Sequence, residues 1–382
     1  MSTSEEKCYV GIGAGGFLGA NLIASLQEHG DFTKFIVVDP NPRLSSFTHL
    51  KINLGPDFVK YEKSSFLEDE VLDRVLKNAK SVFHLAAIGH TGSHGAPRHH
   101  DYVRRFNVAE TEKLLKKCRD LGVENFIYAS SIAVTFVGKP IYDAREDEGY
   151  PSPNDYLDIY SSTKAAAEKL VRGFSTSKFR TTSLRFRAIY GPNDVSVAQK
   201  VVEMVSKNFL MFKISKDGRE TISNMSSGKN CGLAMHLANQ ALMKNGKNGQ
   251  VYNITDGEEI RQYSVWNGLI KSQGKSPPKH FVSYSLVSAF VSLSSYICYE
   301  WFNSGPPLTR FELEVLVTDN TYSIEKAEKE LNYKPRKGHF QETVNYYKQR
   351  REEEMRIERA RNYELYILII SVLFVGVVIF CF

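Results

Sequence analysis

Short apolar runs alternate with stretches in which apolar residues recur every three or four positions, and the alternation persists through the first half of the chain. Tyr9-Val10-Gly11-Ile12 suits a buried parallel strand, and Leu18, Leu22, Ile23 and Leu26 then follow at helical spacing. Phe35 to Val38 predicts a second strand, Phe58 to Tyr61 a third, Glu70 to Lys77 a crossover helix, and Ser81 to Ala87 a compact strand ending in small residues. A helix is expected over Asn107 to Cys118, a strand over Phe126 to Ala129, a polar loop over Thr135 to Pro153, and a helix of strong formers from Tyr160 to about Val171. Thr182 to Phe186 repeats the strand pattern. From Val195 onward the regular alternation stops, with helices expected at Ala198 to Asn208 and Cys231 to Lys244 and a late strand at Val251 to Ile254. This order predicts an α/β fold, a doubly wound parallel sheet with a smaller C-terminal substrate lobe.

Two apolar stretches add to that picture. Leu365 to Phe382 is apolar apart from Ser371, and its 18 residues make a helix of about 27 Å, close to the hydrocarbon thickness of a bilayer. It follows the charged stretch Lys348 to Arg361, and basic flanks stay cytosolic. The expectation is a C-terminal transmembrane tail anchor in the endoplasmic reticulum, with the remainder facing the cytosol and the lipid bilayer as partner. Phe281 to Phe302 interleaves apolar residues with six serines and carries Glu300; that polarity favours an interfacial helix, or the wall of an apolar channel, over a full span. The expected divisions are a nucleotide-binding domain over 7–190, a substrate lobe over 191–346 containing the membrane-associated segment 281–302, a charged linker over 347–363 and the anchor over 364–382.

Composition changes little. At 382 residues, with 42% apolar and 24% charged positions, the chain is long enough for a large core, and its net charge of +6 comes without the Arg-rich or aromatic-basic pattern of a nucleic-acid binder. Five scattered cysteines without a CxxC pair suit reduced thiols, and the polar start, Met1 to Lys7, is not a signal peptide. His90, His94, His99 and His100 cluster, but no acid or cysteine completes a metal-ligand set at usual spacing, so no metal is expected.

Candidate chemistry begins at Gly13-Ala14-Gly15-Gly16-Phe17-Leu18-Gly19, between the first strand and the first helix. Gly13 permits the tight turn, Gly16 lets the backbone approach a pyrophosphate, Gly19 allows close helix-on-strand packing, and the helix N-terminus supplies the anion site. Asp39 follows Gly19 by twenty residues, where an acid accepts hydrogen bonds from the ribose hydroxyls and repels a 2′-phosphate, so NAD is favoured over NADP. With Phe17, Leu18 and the strand-end Ala86, these are the candidate cofactor residues. Ser131 sits at the carboxyl end of a later strand, where ligands bind in open α/β sheets. Tyr160 and Lys164 lie four apart on one helical face; a nearby ammonium favours the phenolate, so Tyr160 can exchange a proton with an alcohol while Ser131 holds the same oxygen.

The motifs GAGGFLG, VFHLAA, NVAETEKLL, YASSIAV, YSSTK, LRFRAIYGPND and GQVYNITDGEE together resemble an extended short-chain dehydrogenase/reductase. Within that superfamily the chain is similar to the 3β-hydroxysteroid dehydrogenase group, and most to short-chain dehydrogenase/reductase family 42E, over essentially residues 7 to 382. The resemblance implies a seven-stranded Rossmann-type sheet, NAD, Ser131, Tyr160 and Lys164 as catalytic residues, Lys164 also on the nicotinamide ribose, Asn107 as a further catalytic residue, and oxidation of a steroid or sterol 3β-hydroxyl. A homodimer is left open. Ile12, Phe186 and Lys63-Ser64-Ser65 depart from the family pattern, and the last removes a carboxylate at the adenine end. Rival readings are a sterol 4α-carboxylate 3-dehydrogenase, a nucleotide-sugar epimerase or reductase, and an NAD-binding membrane scaffold without catalysis.

Overall fold

The computed structural model describes residues 8–381 apart from 49, 51, 90, 91, 210, 211 and 245, with side chains described through residue 361 except at 44 and 48. The early strands are β1 (Cys8–Ile12), β2 (Lys34–Val38), β3 (Val59–Glu62), β4 (Ser81–His84), β5 (Asn125–Ser131), β6 (Ile141–Ala144) and β7 (Arg180–Phe186). The helices among them are α1 (Phe17–Glu28), α2 (Leu44–Thr48), α3 (Asp69–Leu76), α4 (His100–Arg104), α5 (Glu110–Asp120) and α6 (Ile159–Gly173).

Seven strands form one parallel sheet in the order Gln250–Ile254, β7, β5, β4, β1, β2, β3. Alternate residues serve opposite faces. Tyr9, Phe35, Phe83, Ile127, Leu184 and Tyr252 pack with α1 and the helix Gly228–Met243 on one side. Val10, Val82, Phe126 and Tyr128 pack with α3, α5 and α6 on the other. Both faces are covered, which is why these strands read as continuous apolar runs and not as alternating ones. The strand order reverses between β1 and β4, and the crevice beyond their carboxyl ends is where such sheets hold ligands.

The expected polar loop over Thr135 to Pro153 contains β6, which pairs with Asn320–Tyr322 in a second sheet completed by Ile222–Ser223 and Ile260–Arg261. This small sheet is assembled from four segments far apart in sequence, so no local pattern announces it.

Phe281 to Phe302 becomes a short strand, Phe281–Ser283, and the 17-residue helix Tyr284–Glu300. At about 1.5 Å per residue that helix is near 25 Å long, short of a hydrocarbon core of about 30 Å. It stops where Asn303 turns left-handed ahead of Gly305-Pro306-Pro307. Its inner face packs Val291 and Val287 on Leu313 and Val317 of the helix Arg310–Val317. Its outer face leaves Leu286 68%, Phe290 64% and Leu293 59% exposed, followed by Trp301 at 77%. The last helix runs His339–Cys381. The expected anchor over 364–382 lies outside the residues whose side chains are described, and among the described residues no helix is long and apolar enough to cross a membrane.

Candidate active site

The Gly13 to Gly19 turn lies in the switch crevice between β1 and β4. Gly13 has φ +71°, and a Cβ there would lie 2.6 Å from the Ala86 backbone, so only glycine lets the turn pass under the end of β4. Ala86 donates its N–H to the Ile12 carbonyl at 3.1 Å, which fixes that neighbour. Gly16 is the N-cap of α1, without a side-chain cap, without an acid in the first turn and with open space where a Cβ would stand. The first N–H groups of a helix have no partner within it, so this end is a donor cradle suited to a pyrophosphate. Phe17 and Leu18 serve it by backbone only: the Phe17 ring is wedged between Gly191 and Gly228, and Leu18 packs on the core.

Asp39, just past β2, accepts hydrogen bonds from the N–H of Gly15 at 3.1 Å and of Asn41 at 2.9 Å. Its carboxylate is thereby held against the glycine turn, where ribose hydroxyls arrive. Asp39→Ala is expected to weaken NAD by about tenfold or more, since a hydrogen bond to a charged group contributes ~1.5–3 kcal/mol, and to weaken NADP less. Fluorescence titration with both cofactors checks this. Ser64 donates to Glu62 at 3.2 Å, and Glu62 also meets Arg74 at 3.0 Å, so a carboxylate stands beside Ser64, two residues earlier in the chain than the family pattern has it.

β5 and α6 bring the expected catalytic residues together. Asp158 caps α6 by accepting the Ser161 N–H at 2.8 Å, and Tyr160 follows in the first turn, half-buried and facing Ser131. Lys164, one turn on, is buried; its ammonium donates to the Ala129 carbonyl at 2.5 Å and lies 4.0 Å from the centroid of the Tyr128 ring. Burial raises the Tyr160 phenol to about 12, against a lowering by the Ser131 hydrogen bond, and Asp158 adds to the rise. Burial lowers Lys164 to about 7, opposed by Glu168. The lowering of Tyr160 expected from its cationic neighbour is outweighed here: the Lys164 ammonium is turned toward Ala129, and desolvation disfavours both charges.

Asn107 is placed by a π-turn, Arg105–Ala109, between α4 and α5. Such turns concentrate at functional sites. Its carbonyl oxygen accepts from the Ile88 N–H at 2.8 Å, while its amide donates to the Ile88 carbonyl and to the Thr163 hydroxyl, both at 3.0 Å. Asn107 thus braces the loop after β4 against α6, and its side chain is fully engaged in that brace. Behind it, His84 hydrogen-bonds Thr111 at 2.9 Å and is held neutral, its pKa lowered to about 3 by burial and by Lys164.

Of the clustered histidines, His94 stacks on Tyr102, His99 and Arg98 meet Asn303, and His100 meets the Gly95 carbonyl; His90 lies outside the described residues. Among the described residues no group of three His, Cys, Asp or Glu could hold a metal ion. The loop carrying them passes against the end of the helix Tyr284–Glu300, Gly92 lying on Gly305 and Gly95 on the Tyr299 hydroxyl.

Ser130, paired with Ser131 at the strand end, is well placed by sequence, but sequence reasoning missed its partners Glu168, Arg185 and Tyr150, a polar group directly behind the catalytic residues. The signal was present: Glu168 is four residues after Lys164, on the same helical face.

A family model described as the 3-beta hydroxysteroid dehydrogenase/isomerase family matches residues 10–284. The chain is 31% identical over 328 residues to 3beta-hydroxysteroid dehydrogenase/Delta(5)-Delta(4) isomerase 1 of Caenorhabditis elegans, covering 85% of this chain and 70% of that one. It is 28% identical over 366 residues to short-chain dehydrogenase/reductase family 42E member 1 of Xenopus laevis, covering 91% and 90%. Among solved structures, UDP-glucuronic acid 4-epimerase from Bacillus cereus in complex with NAD superposes with a TM-score of 0.67 at 20% identity, over 90% of this chain and 99% of that one. At that identity the likeness speaks for the fold.

Proposed function

Because the chain belongs to the 3-beta hydroxysteroid dehydrogenase/isomerase family, we propose that it oxidises the 3β-hydroxyl of a steroid or sterol to the ketone with NAD as cofactor. The observation that carries this reading is the convergence of Ser131, at the carboxyl end of β5, with Tyr160 and Lys164, one turn apart on α6, where Lys164 donates to the Ala129 carbonyl of the same strand.

Bound over the glycine turn, NAD supplies the hydride acceptor. Ser131 holds the substrate hydroxyl, and Tyr160 takes its proton. Tyr160 must first lose its own proton, which a charge on Lys164 favours; with NAD bound, Lys164 would be the residue to hold the nicotinamide ribose. Asn107 contributes by fixing the loop after β4 and the first turn of α6 in register.

The residues divide in this reading into a nucleotide-binding part, 7–190, and a substrate lobe, 191–346, joined by a charged linker, 347–363, to a tail anchor, 364–382, in the endoplasmic reticulum membrane with catalysis on the cytosolic side. The outward apolar face of Tyr284–Glu300 supports contact with the bilayer surface, where a sterol substrate dissolves.

The test is to incubate the detergent-solubilised full chain with NAD and a panel of 3β-hydroxysteroids, 4α-carboxysterols and UDP-sugars, following NADH absorption and sugar products. NADH formed from a sterol is the expected result. Interconversion of UDP-sugars alone overturns the substrate class, and NAD binding without turnover of any panel member overturns the dehydrogenase reading.

A further inference from the structure

Three consecutive residues of β5 contact α6. The Ala129 carbonyl accepts from Lys164, the Ser130 hydroxyl donates to Glu168 at 2.6 Å, and Ser131 meets Tyr160. The middle contact involves no group assigned to the reaction, yet it is the most heavily built. Glu168 is 0% exposed, and beyond Ser130 its carboxylate accepts from the Tyr150 hydroxyl at 2.7 Å and from Arg185, through Nε at 3.1 Å to both oxygens and through Nη2 at 2.7 Å. Arg185 is 1% exposed and is the register partner of Ser130 on the neighbouring strand β7. One carboxylate therefore ties together the strand end that presents Ser131, the helix that presents Tyr160 and Lys164, the adjacent strand and the loop before α6.

We propose that Glu168, seated on Arg185, is a positioning residue of the catalytic site, setting the register of β5, which presents Ser131, against α6, which presents Tyr160 and Lys164. A carboxylate buried with its charge is held only by partners that fill its lone pairs, and here four donor groups converge on it. The titratable groups around Lys164 are Tyr160 and Glu168 on its own helix, Tyr128 on β5 and His84 on β4. Glu168 is the group that raises the proton affinity of Lys164, against burial. Without that charge Lys164 loses its proton at lower pH, and Tyr160 then ionises at higher pH.

The assignment rests on the dehydrogenase reading, and its test is arranged to be decidable without it. In the NAD-loaded full chain, ultraviolet tyrosinate absorption is titrated against pH in Glu168→Gln and in the parent, each as the difference from the same protein carrying Tyr160→Phe. The Tyr160 titration is expected to move up by about one unit, a tenfold shift in its equilibrium. This readout needs no steroid. With a sterol that gives turnover, kcat is expected to fall by about a hundredfold, the loss that accompanies a misplaced reacting group, with KM for NAD unchanged. The pair of substitutions Glu168→Met and Arg185→Met removes both charges and keeps an apolar filling, so that folding survives if the single variant melts; its kcat is expected to stay low although its melting temperature recovers. A double variant that regains parental kcat along with its stability, or a Tyr160 titration that does not move in either variant, overturns the proposal and leaves the pair a structural staple.

Discussion

The Tyr160→Phe enzyme is expected to bind NAD as the parent does and to turn over about 10²–10⁴-fold more slowly, the range that a positioned acid or base contributes. The ring of Tyr160 stays in place in this variant, because its packing against Ala133, Phe136 and Phe311 depends on the aromatic carbons and not on the hydroxyl. What is lost is the oxygen that Ser131 meets. Initial rates of NADH formation with the sterol that gives turnover, beside a fluorescence titration with NAD, separate the two quantities. In the parent, with Tyr160 near 12 and Lys164 near 7 before the cofactor binds, the oxidation rate is expected to climb with pH as the phenol ionises, and in Tyr160→Phe that climb is expected to vanish. Turnover at parental rate in Tyr160→Phe removes Tyr160 from the reaction.

The second large effect is expected at Gly19. A Cβ there falls on the carbonyl oxygen of Ala14, a backbone atom that cannot swing aside. Gly19→Val therefore has to push α1 off the glycine turn, at about 1–3 kcal/mol or more for an overpacked site, and the same displacement moves the donor cradle at Gly16. The melting temperature is expected to fall, and NAD is expected to cease raising it. Gly173→Ala is the control: it ends α6, has nothing within 4 Å of a built Cβ, and is expected to melt at or slightly above the parent. A Gly19→Val protein whose melting temperature still rises with NAD shows that the turn tolerates the shift.

Why these positions could be read from the sequence, and others not, is a matter of range. The glycine turn, Asp39 and the strand-end Ser131 are local: each follows from one strand, its terminus and a fixed offset. Tyr160 and Lys164 are linked by helical periodicity alone, and the structure places both at β5. The direction of the Lys164 side chain was not available, because it depends on the Ala129 carbonyl and the Tyr128 ring across the interface. Strand β6 escaped because its partner is Asn320–Tyr322, nearly 180 residues away, and an edge strand of four residues carries too short a pattern to stand out from a loop. Asn107 was expected on a helix and is, but the π-turn that aims it at Ile88 and Thr163 leaves no mark on apolar spacing. The Glu168–Arg185 pair joins two readable elements by a contact that neither specifies alone.

The wedged ring of Phe17 has a consequence for how this site can change. A side chain on either Gly191 or Gly228 would meet the same aromatic carbons, its Cβ 2.6 Å from Phe17 Cζ in both cases. The three positions therefore share one fixed volume, although they belong to the cofactor turn, the segment after β7 and the start of the helix Gly228–Met243. Adding bulk at either glycine demands its removal at 17, so a smaller residue at 17 is the step that opens Gly191 to substitution, while Gly228 stays hemmed in by the Asn21 amide, 2.7 Å from where its Cβ would stand.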